Sequence, residues 1–196
     1  MLENVFNDVL KLPHITNGTT RKHERKIQEL LENHKFKQTT LDTFGLTKAE
    51  AKDGIPAPFG TPMTFVPEPA GSQNYPDFII CDHNGKVYFV ECKSSNGDGI
   101  VWNSGTPKAD GIYIVSSGKH NGQSIVKGSQ FIDEGTPLMD EWRRKSKQLQ
   151  KEFQELFKSI ETDWDPYFRA MNNYKAKIYA HPKRQERINE VFKMVR

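Results

Sequence analysis

The stretch 77-DFIICDHNGKVYFVECK-93 decides the fold of this chain. Two apolar runs rich in strand-forming residues flank the triplet His83-Asn84-Gly85, and an Asn-Gly turn between such runs is typical of a β-hairpin. If the chain turns through these three residues, Asp77 lies directly opposite Glu91. The turn therefore predicts the register of the two strands.

This register gathers charged side chains at one end of the hairpin. Because side chains alternate along a strand, Asp77 shares a face with Glu91, and Lys93 stands one pleat further along that face. An Asp that faces a Glu across two strands is repelled by it unless a cation lies between them. Divalent metal ions such as Mg²⁺ prefer oxygen ligands. The pattern therefore predicts a metal site at this end of the hairpin.

The rest of the chain predicts helices and further strands around this hairpin. Periodicity and capping residues indicate the following elements: a helix capped by Thr19 or Thr20 that ends near His34, a shorter helix after Thr47, an edge strand at 63–66, strands at 112–116 and 176–180, and a short helix after Pro182. This order predicts an α/β (α+β) fold with a central mixed β-sheet flanked by helices. A chain of 196 residues is expected to form a single domain, 1–196.

The last third of the chain is expected to be mainly helical. Its apolar residues recur at helical spacing, and we expect them to cover one face of the sheet: Trp142, Leu149, Phe153, Leu156, Phe157 and Ile160.

The composition limits the class of protein. The chain has 28 Lys and Arg against 25 Asp and Glu, a formal net charge of +3, which allows nucleic-acid binding without requiring it. No apolar run approaches the ~20 residues that span a bilayer, and the first residues lack the features of a signal peptide. Cys81 and Cys92 lie in strand-like segments, unlike a disulfide framework or a zinc cluster. We expect a soluble, cytoplasmic protein with no membrane partner.

The charged residues of the hairpin resemble a known signature. Pro76-Asp77, followed after residues 78–90 by Glu91-Cys92-Lys93, is similar to the PD-(D/E)xK motif of type II restriction endonucleases. The resemblance implies a restriction-endonuclease-like core. It also implies that Asp77 and Glu91 hold Mg²⁺, that the backbone carbonyl of Cys92 is a third metal ligand, and that Lys93 positions or activates the attacking water.

Some members of this family add a glutamate from an N-terminal helix to the metal site. Glu24 is the candidate here, because it lies three and seven residues before Ile27 and Leu31, at the edge of the buried stripe of the predicted helix. Glu29 and Glu32 point away from that stripe.

The resemblance implies hydrolysis of double-stranded DNA at a specific short sequence, leaving 5′-phosphate and 3′-hydroxyl ends. By family analogy a homodimer is expected. Three alternatives stay open. The same core serves mismatch-nicking, transposition and junction-resolving nucleases; the chain could be a non-catalytic DNA-binding module; or Glu91 and Lys93 could be ordinary exposed residues of a surface hairpin.

Two polar, glycine-rich stretches, 94–108 and 117–130, are expected to form long loops or extended hairpins outside the core. Amide and ammonium groups of this kind read base edges in the major groove. The predicted DNA-contacting residues are Asn96, Asn103, Lys108, Lys119, Asn121, Gln123, Lys127 and Gln130.

Overall fold

The computed structural model describes residues 1–16, 22–72, 74–102, 105–160, 172–174 and 177–196. Its helices are α1 (Leu2–Lys11), α2 (Lys22–Asn33), α3 (Lys48–Asp53), α4 (Thr136–Lys158) and α5 (Arg184–Val195). Its strands are β1 (Lys37–Gln38), β2 (Thr64–Pro67), β3 (Phe78–Cys81), β4 (Val87–Ser95), β5 (Ile100–Trp102), β6 (Ile112–Ser117), β7 (Gly122–Lys127) and β8 (Asn172–Tyr174). Short 3-10 turns lie at Leu41–Phe44 and Gly128–Phe131.

Six of these strands form one mixed sheet in the order β1-β2-β3-β4-β6-β7. β3 is antiparallel to both β2 and β4, β4 is parallel to β6, and β6 and β7 form an antiparallel pair. Strands β5 and β8 form a second, two-stranded sheet. The predicted α/β fold, with a central mixed sheet flanked by helices, is confirmed.

β3 and β4 form the predicted hairpin in the predicted register. Phe78 pairs with Val90, and the same register continued by one residue sets Asp77 opposite Glu91. The connecting turn needs a residue in the left-handed region, and Gly85 takes that conformation with a φ of 82°. Local turn chemistry and strand periodicity are therefore sufficient to align this hairpin.

The two faces of the sheet have different covers. Side chains of α1, α2 and α5 pack on one face, where Ile27, Leu31 and Val191 are fully buried against the sheet. The other face packs on β5 and the segments around the 3-10 turns, through residues such as Trp102 and Phe131. Cys81 and Cys92 lie on opposite faces of the sheet: they belong to different hydrophobic clusters, and both are free thiols.

The predicted helices agree with the structure in most details. α2 ends at Asn33, one residue before the predicted end, whereas its predicted caps Thr19 and Thr20 lie outside the described residues. Thr47 caps α3 through a capping box with Glu50. α1 was not individually predicted, although its buried residues recur at helical spacing. No helix in the described ranges has both the length and the apolar content to cross a bilayer.

Two strand predictions need correction. β2 is not an edge strand, because the short β1 pairs with its outer side. The described part of the predicted strand 176–180, residues 177–180, forms turns. The reason is local: the Asp98 carboxylate accepts hydrogen bonds from the backbone amides of Tyr179 and Ala180, at 2.7 and 3.1 Å, so these amides are not free to join a sheet.

The prediction that 117–130 lies outside the core is wrong for β7, which is almost entirely buried. Gln123 is fully buried, and its amide nitrogen has hydrogen-bond partners there. Its Nε2 donates to the Pro13 carbonyl at 2.7 Å and to Ser116 Oγ at 3.0 Å. Paired polar groups can be buried at small cost, which a polar sequence pattern does not reveal.

The prediction that the apolar residues of the last third cover the sheet is also wrong. α4 forms, but Arg143 is its only fully buried residue within the described part of the chain, and most of its large apolar residues are exposed. Among the described residues, both faces of the sheet are already covered by other elements. α1, α2 and α5 cover one side, and the layer that contains β5 covers the other.

Candidate active site

The three residues predicted to carry the chemistry meet where β3 begins beside β4. The Lys93 ammonium lies 2.6 Å from Glu91 Oε1. Asp77 Oδ2 accepts a hydrogen bond of 2.7 Å from the backbone amide of Cys92, between those two residues. The hairpin thus holds the Asp77 carboxylate against the backbone of β4, the strand that carries Glu91.

Glu91 is buried, and Asp77 and Lys93 are partly buried. The side chains of Glu91 and Lys93 are 5% and 12% exposed. Ordinary residues of a surface hairpin would be exposed to water, because burial of a charge is costly unless the charge is paired. This burial argues against the surface-hairpin alternative.

Burial also changes the acidity of both carboxyl groups. The pKa of Asp77 lies well above its usual value because burial and the neighbouring Glu91 disfavour its charge, while the Cys92 amide and Lys93 oppose the rise. The pKa of Glu91 is raised as well, by burial, although Lys93 favours its ionised form. Two adjacent carboxyls of raised pKa, one buried and one partly buried, are suited to a cation that would stabilise both charges.

The donor set fits a small oxygen-liganded ion, but it is sparse. No group of three or more His, Cys, Asp or Glu side chains able to hold a metal occurs among the described residues. Asp77 and Glu91 would supply two carboxylates, and backbone atoms or water would complete the set. Mg²⁺ is commonly bound in this way, by one or two carboxylates together with water and substrate phosphate.

The Cys92 carbonyl is oriented suitably for the role predicted for it. In an antiparallel pair, the N–H and C=O of one residue point to the same side of the strand. The Cys92 amide points towards Asp77, so its carbonyl faces the same side of β4. β3 begins at Phe78, and its pairing with β4 stops at Val90, so Cys92 lies beyond the last residue of β4 that pairs with β3.

Glu24 lies in the first turn of α2 and is half-buried. Its charge contributes to the raised pKa values of Asp77, Glu91 and Cys92, after the larger effect of burial in each case. The structure therefore places Glu24 within electrostatic reach of the site. It does not bring the carboxylate into a three-residue cluster with Asp77 and Glu91.

Aromatic side chains that the sequence reasoning missed form one wall of the site. Lys93 Nζ lies 5.5 Å from the centre of the Trp102 ring, within cation–π range. Trp102 meets Tyr113 edge to face, and Tyr113 stacks on Tyr75. β4 and β6 pair in a parallel register that sets Tyr113 beside Glu91. A prediction of this pairing would have revealed the aromatic wall.

Three of the predicted DNA-contacting residues are exposed near the ends of β4 and β6: Asn96, Lys119 and Asn121. The loops that carry them touch, since Gly118 packs so closely on the Asn96 backbone that a Cβ there would lie 2.8 Å from the Asn96 carbonyl oxygen. Asn121 also accepts a hydrogen bond from the His14 amide. These loops follow β4 and β6 directly, beyond Lys93.

The other predicted contacts are less favourable. Gln123 is fully buried and holds the chain at Pro13, so its predicted contact with a base is contradicted. Lys127 forms an ion pair with Asp110 at 3.1 Å, and Gln130 donates to Glu190, so both are engaged by carboxylates of the protein. Lys108 is half-buried, and Asn103 lies outside the described residues.

Comparison with protein-family models, with curated proteins and with solved structures finds no match to this chain.

Proposed function

We propose that this chain is a magnesium-dependent DNA endonuclease of the restriction-enzyme type, which hydrolyses double-stranded DNA at a specific short sequence. The observation that carries the proposal is the convergence of Asp77, Glu91 and Lys93, one of them buried and two partly buried, at one end of the hairpin. Their order and spacing are those of the PD-(D/E)xK motif. Burial, pairing and raised carboxyl pKa values are typical of chemical sites rather than of surface charges.

In this proposal Asp77 and Glu91 hold Mg²⁺, with the Cys92 carbonyl as a third ligand. The bound ion supplies positive charge against the negative charge that develops on the scissile phosphate. Lys93 exchanges its bond to Glu91 for one to the attacking water, which its ammonium orients while the proton of that water passes to the surrounding solvent. A bond forms from the water oxygen to phosphorus, and the bond from phosphorus to the 3′-oxygen breaks. The 3′-oxygen takes up a proton, leaving 5′-phosphate and 3′-hydroxyl ends.

Recognition of a specific sequence is assigned to the exposed loops after β4 and β6. Asn96 and Asn121 can donate to and accept from an adenine edge, and Lys119 can donate to guanine. Their exposure and their position next to the site support this assignment.

The proposal is tested by incubating the full chain with phage-sized duplex DNA and magnesium, followed by mapping of the fragment ends. A restriction enzyme yields discrete fragments that share one short sequence at their ends. Nicks at mismatches only, or cuts at branched junctions only, would assign the site to another nuclease of this class. Tight DNA binding without any cleavage would instead favour a non-catalytic module.

A further inference from the structure

α4 carries an apolar stripe that the protein leaves exposed. Trp142 is 41% exposed, Leu149 54%, Phe153 48% and Leu156 58%. Apolar residues scattered singly over a surface are normal, whereas several large apolar residues aligned along one helix mark an interaction surface.

The spacing of this stripe indicates what it binds. Residues alternately three and four positions apart follow one line along the helix: Met139, Trp142, Ser146, Leu149, Phe153 and Leu156. This 3.5-residue repeat is that of the a and d positions of a coiled coil, and the stripe is narrower than the face of a helix that packs on a sheet. The stripe is therefore suited to another helix.

The first half of α4 is attached to the body of the protein with this stripe outward. Arg143 Nη2 donates to the Trp102 carbonyl at 2.8 Å, in a buried contact. Thr106 Oγ1 donates to the Asp140 carboxylate at 2.8 Å. These two contacts hold the helix against β5 and its following loop, beside the wall of the candidate site.

We propose that α4 is the surface through which two copies of this chain associate, with the two helices antiparallel about a two-fold axis. In that arrangement the layers of the seam are Met139 against the partner's Leu156, Trp142 against the partner's Phe153, and Ser146 against the partner's Leu149. Each layer combines one a and one d position and occurs twice, as a two-fold interface requires.

The charges that flank the seam favour this arrangement. Lys145 and Glu152 both occupy g positions, which lie opposite one another in an antiparallel pair, so Lys145 meets Glu152 of the partner subunit on each side of the axis. In a parallel pair Lys145 would meet Gln150 of the partner subunit, and no opposite charges would face each other. Lys145 now forms only an exposed ion pair with Glu141, at 2.7 Å, a kind of contact worth little energy.

The stripe is thus complementary to itself in its residue repeat and in its flanking charges, which is the reason for choosing a second copy as its occupant. The proposal concerns this surface alone and does not depend on the nuclease activity proposed above.

The test is sedimentation of the full chain from low micromolar concentration to about 100 μM, a range over which a dimer of this kind forms by mass action. We expect a concentration-dependent dimer. Phe153→Gln should weaken it at least about tenfold, since it removes an apolar anchor from both copies. Lys151→Gln introduces the same residue on the opposite face of α4 and should leave the dimer unchanged. Circular dichroism verifies that both variants keep their helices.

Charge reversal tests the antiparallel arrangement. Lys145→Glu alone places a negative charge opposite Glu152 of the partner subunit on each side of the axis. This like-charge contact should weaken the dimer at least about threefold. Adding Glu152→Lys to it should restore the dimer. A protein that stays monomeric at every concentration, or a dimer insensitive to Phe153→Gln, would overturn the proposal. The stripe would then be covered by other residues of the chain or by a different protein. A dimer weakened by Phe153→Gln but not restored by the double reversal would overturn the antiparallel pairing.

Discussion

Asp77 and Glu91 are acids whose burial raises the pKa of each. A carboxyl with a folded-state pKa above its unfolded value stabilises the fold while both states are protonated, and this contribution is lost as pH rises through the folded pKa. Without a divalent ion, the site therefore destabilises the protein at neutral and alkaline pH. This cost is expected of a site prepared for a cation.

Asp77→Asn removes one of these acids while its side-chain oxygen can still accept the hydrogen bond from the Cys92 amide. In EDTA at pH 8 we expect a Tm at least about 2 °C above wild type, the shift that about 1 kcal/mol produces in a chain of this size. The difference should shrink as pH falls and the wild-type carboxyl takes up its proton. Asp53→Asn, at an exposed residue of α3, is the control. Thermal denaturation that shows Asp77→Asn less stable than wild type at every pH would contradict this account.

Glu24 tests how far the metal site extends. An ion that binds the folded state raises the Tm with ion concentration, so magnesium affinity can be read from thermal shifts without any cleavage assay. Wild type should be stabilised by magnesium, and Asp77→Asn should lose this response. Glu24→Gln should keep the response with affinity lowered about two- to tenfold, because a nearby charge is lost rather than a ligand. If Glu24→Gln matches wild type, Glu24 plays no part in binding the ion.

At the scale of elements, the sequence predicts what local chemistry determines. The Asn-Gly turn, the two-residue period of β3 and β4, and the Thr47 cap of α3 all act within a few residues, and each appears as predicted. β7 and α4 follow longer-range contacts. Gln123 is buried because Pro13 and Ser116 supply its partners, and α4 is exposed because other elements already cover the sheet.

The site was predictable for the same reason. Asp77, Glu91 and Lys93 belong to a single hairpin, so their meeting follows from one register. Trp102 and Tyr113 reach the site from β5 and β6, through pairings and packing that a single sequence does not reveal.

A comparison of Gln123→Ala in β7 with Asn96→Ala in the loop after β4 separates a structural residue from one that reads DNA. Gln123→Ala leaves buried partners without its amide, so unfolding in denaturant should show a loss of about 1–3 kcal/mol. It should weaken binding to cognate and random duplexes alike, if at all. Asn96→Ala, at an exposed residue, should leave stability within about 0.5 kcal/mol. It should weaken binding to the cognate site alone by about 1–3 kcal/mol. Equal losses on cognate and random DNA for Asn96→Ala would move recognition elsewhere.

At the scale of the whole molecule, the two faces of the sheet serve different purposes. α1, α2 and α5 close one face with apolar side chains. The other face carries Glu91 and Lys93 behind an aromatic wall, and the loops beyond it carry the exposed amides. In the proposed function, the closed face stabilises the fold while the other face approaches the DNA.

The most direct test of the proposed function is the single-turnover rate of DNA cleavage at saturating magnesium, because this rate is not affected by product release. Lys93→Met keeps the stem of the side chain but removes the charge and the proton donors. We expect it to cut at least ~100-fold more slowly than wild type while it still binds DNA. Lys52→Met, at an exposed lysine of α3, should cut normally. A folded Lys93→Met variant that cuts at the wild-type rate would contradict the assignment of this hairpin as a nuclease site.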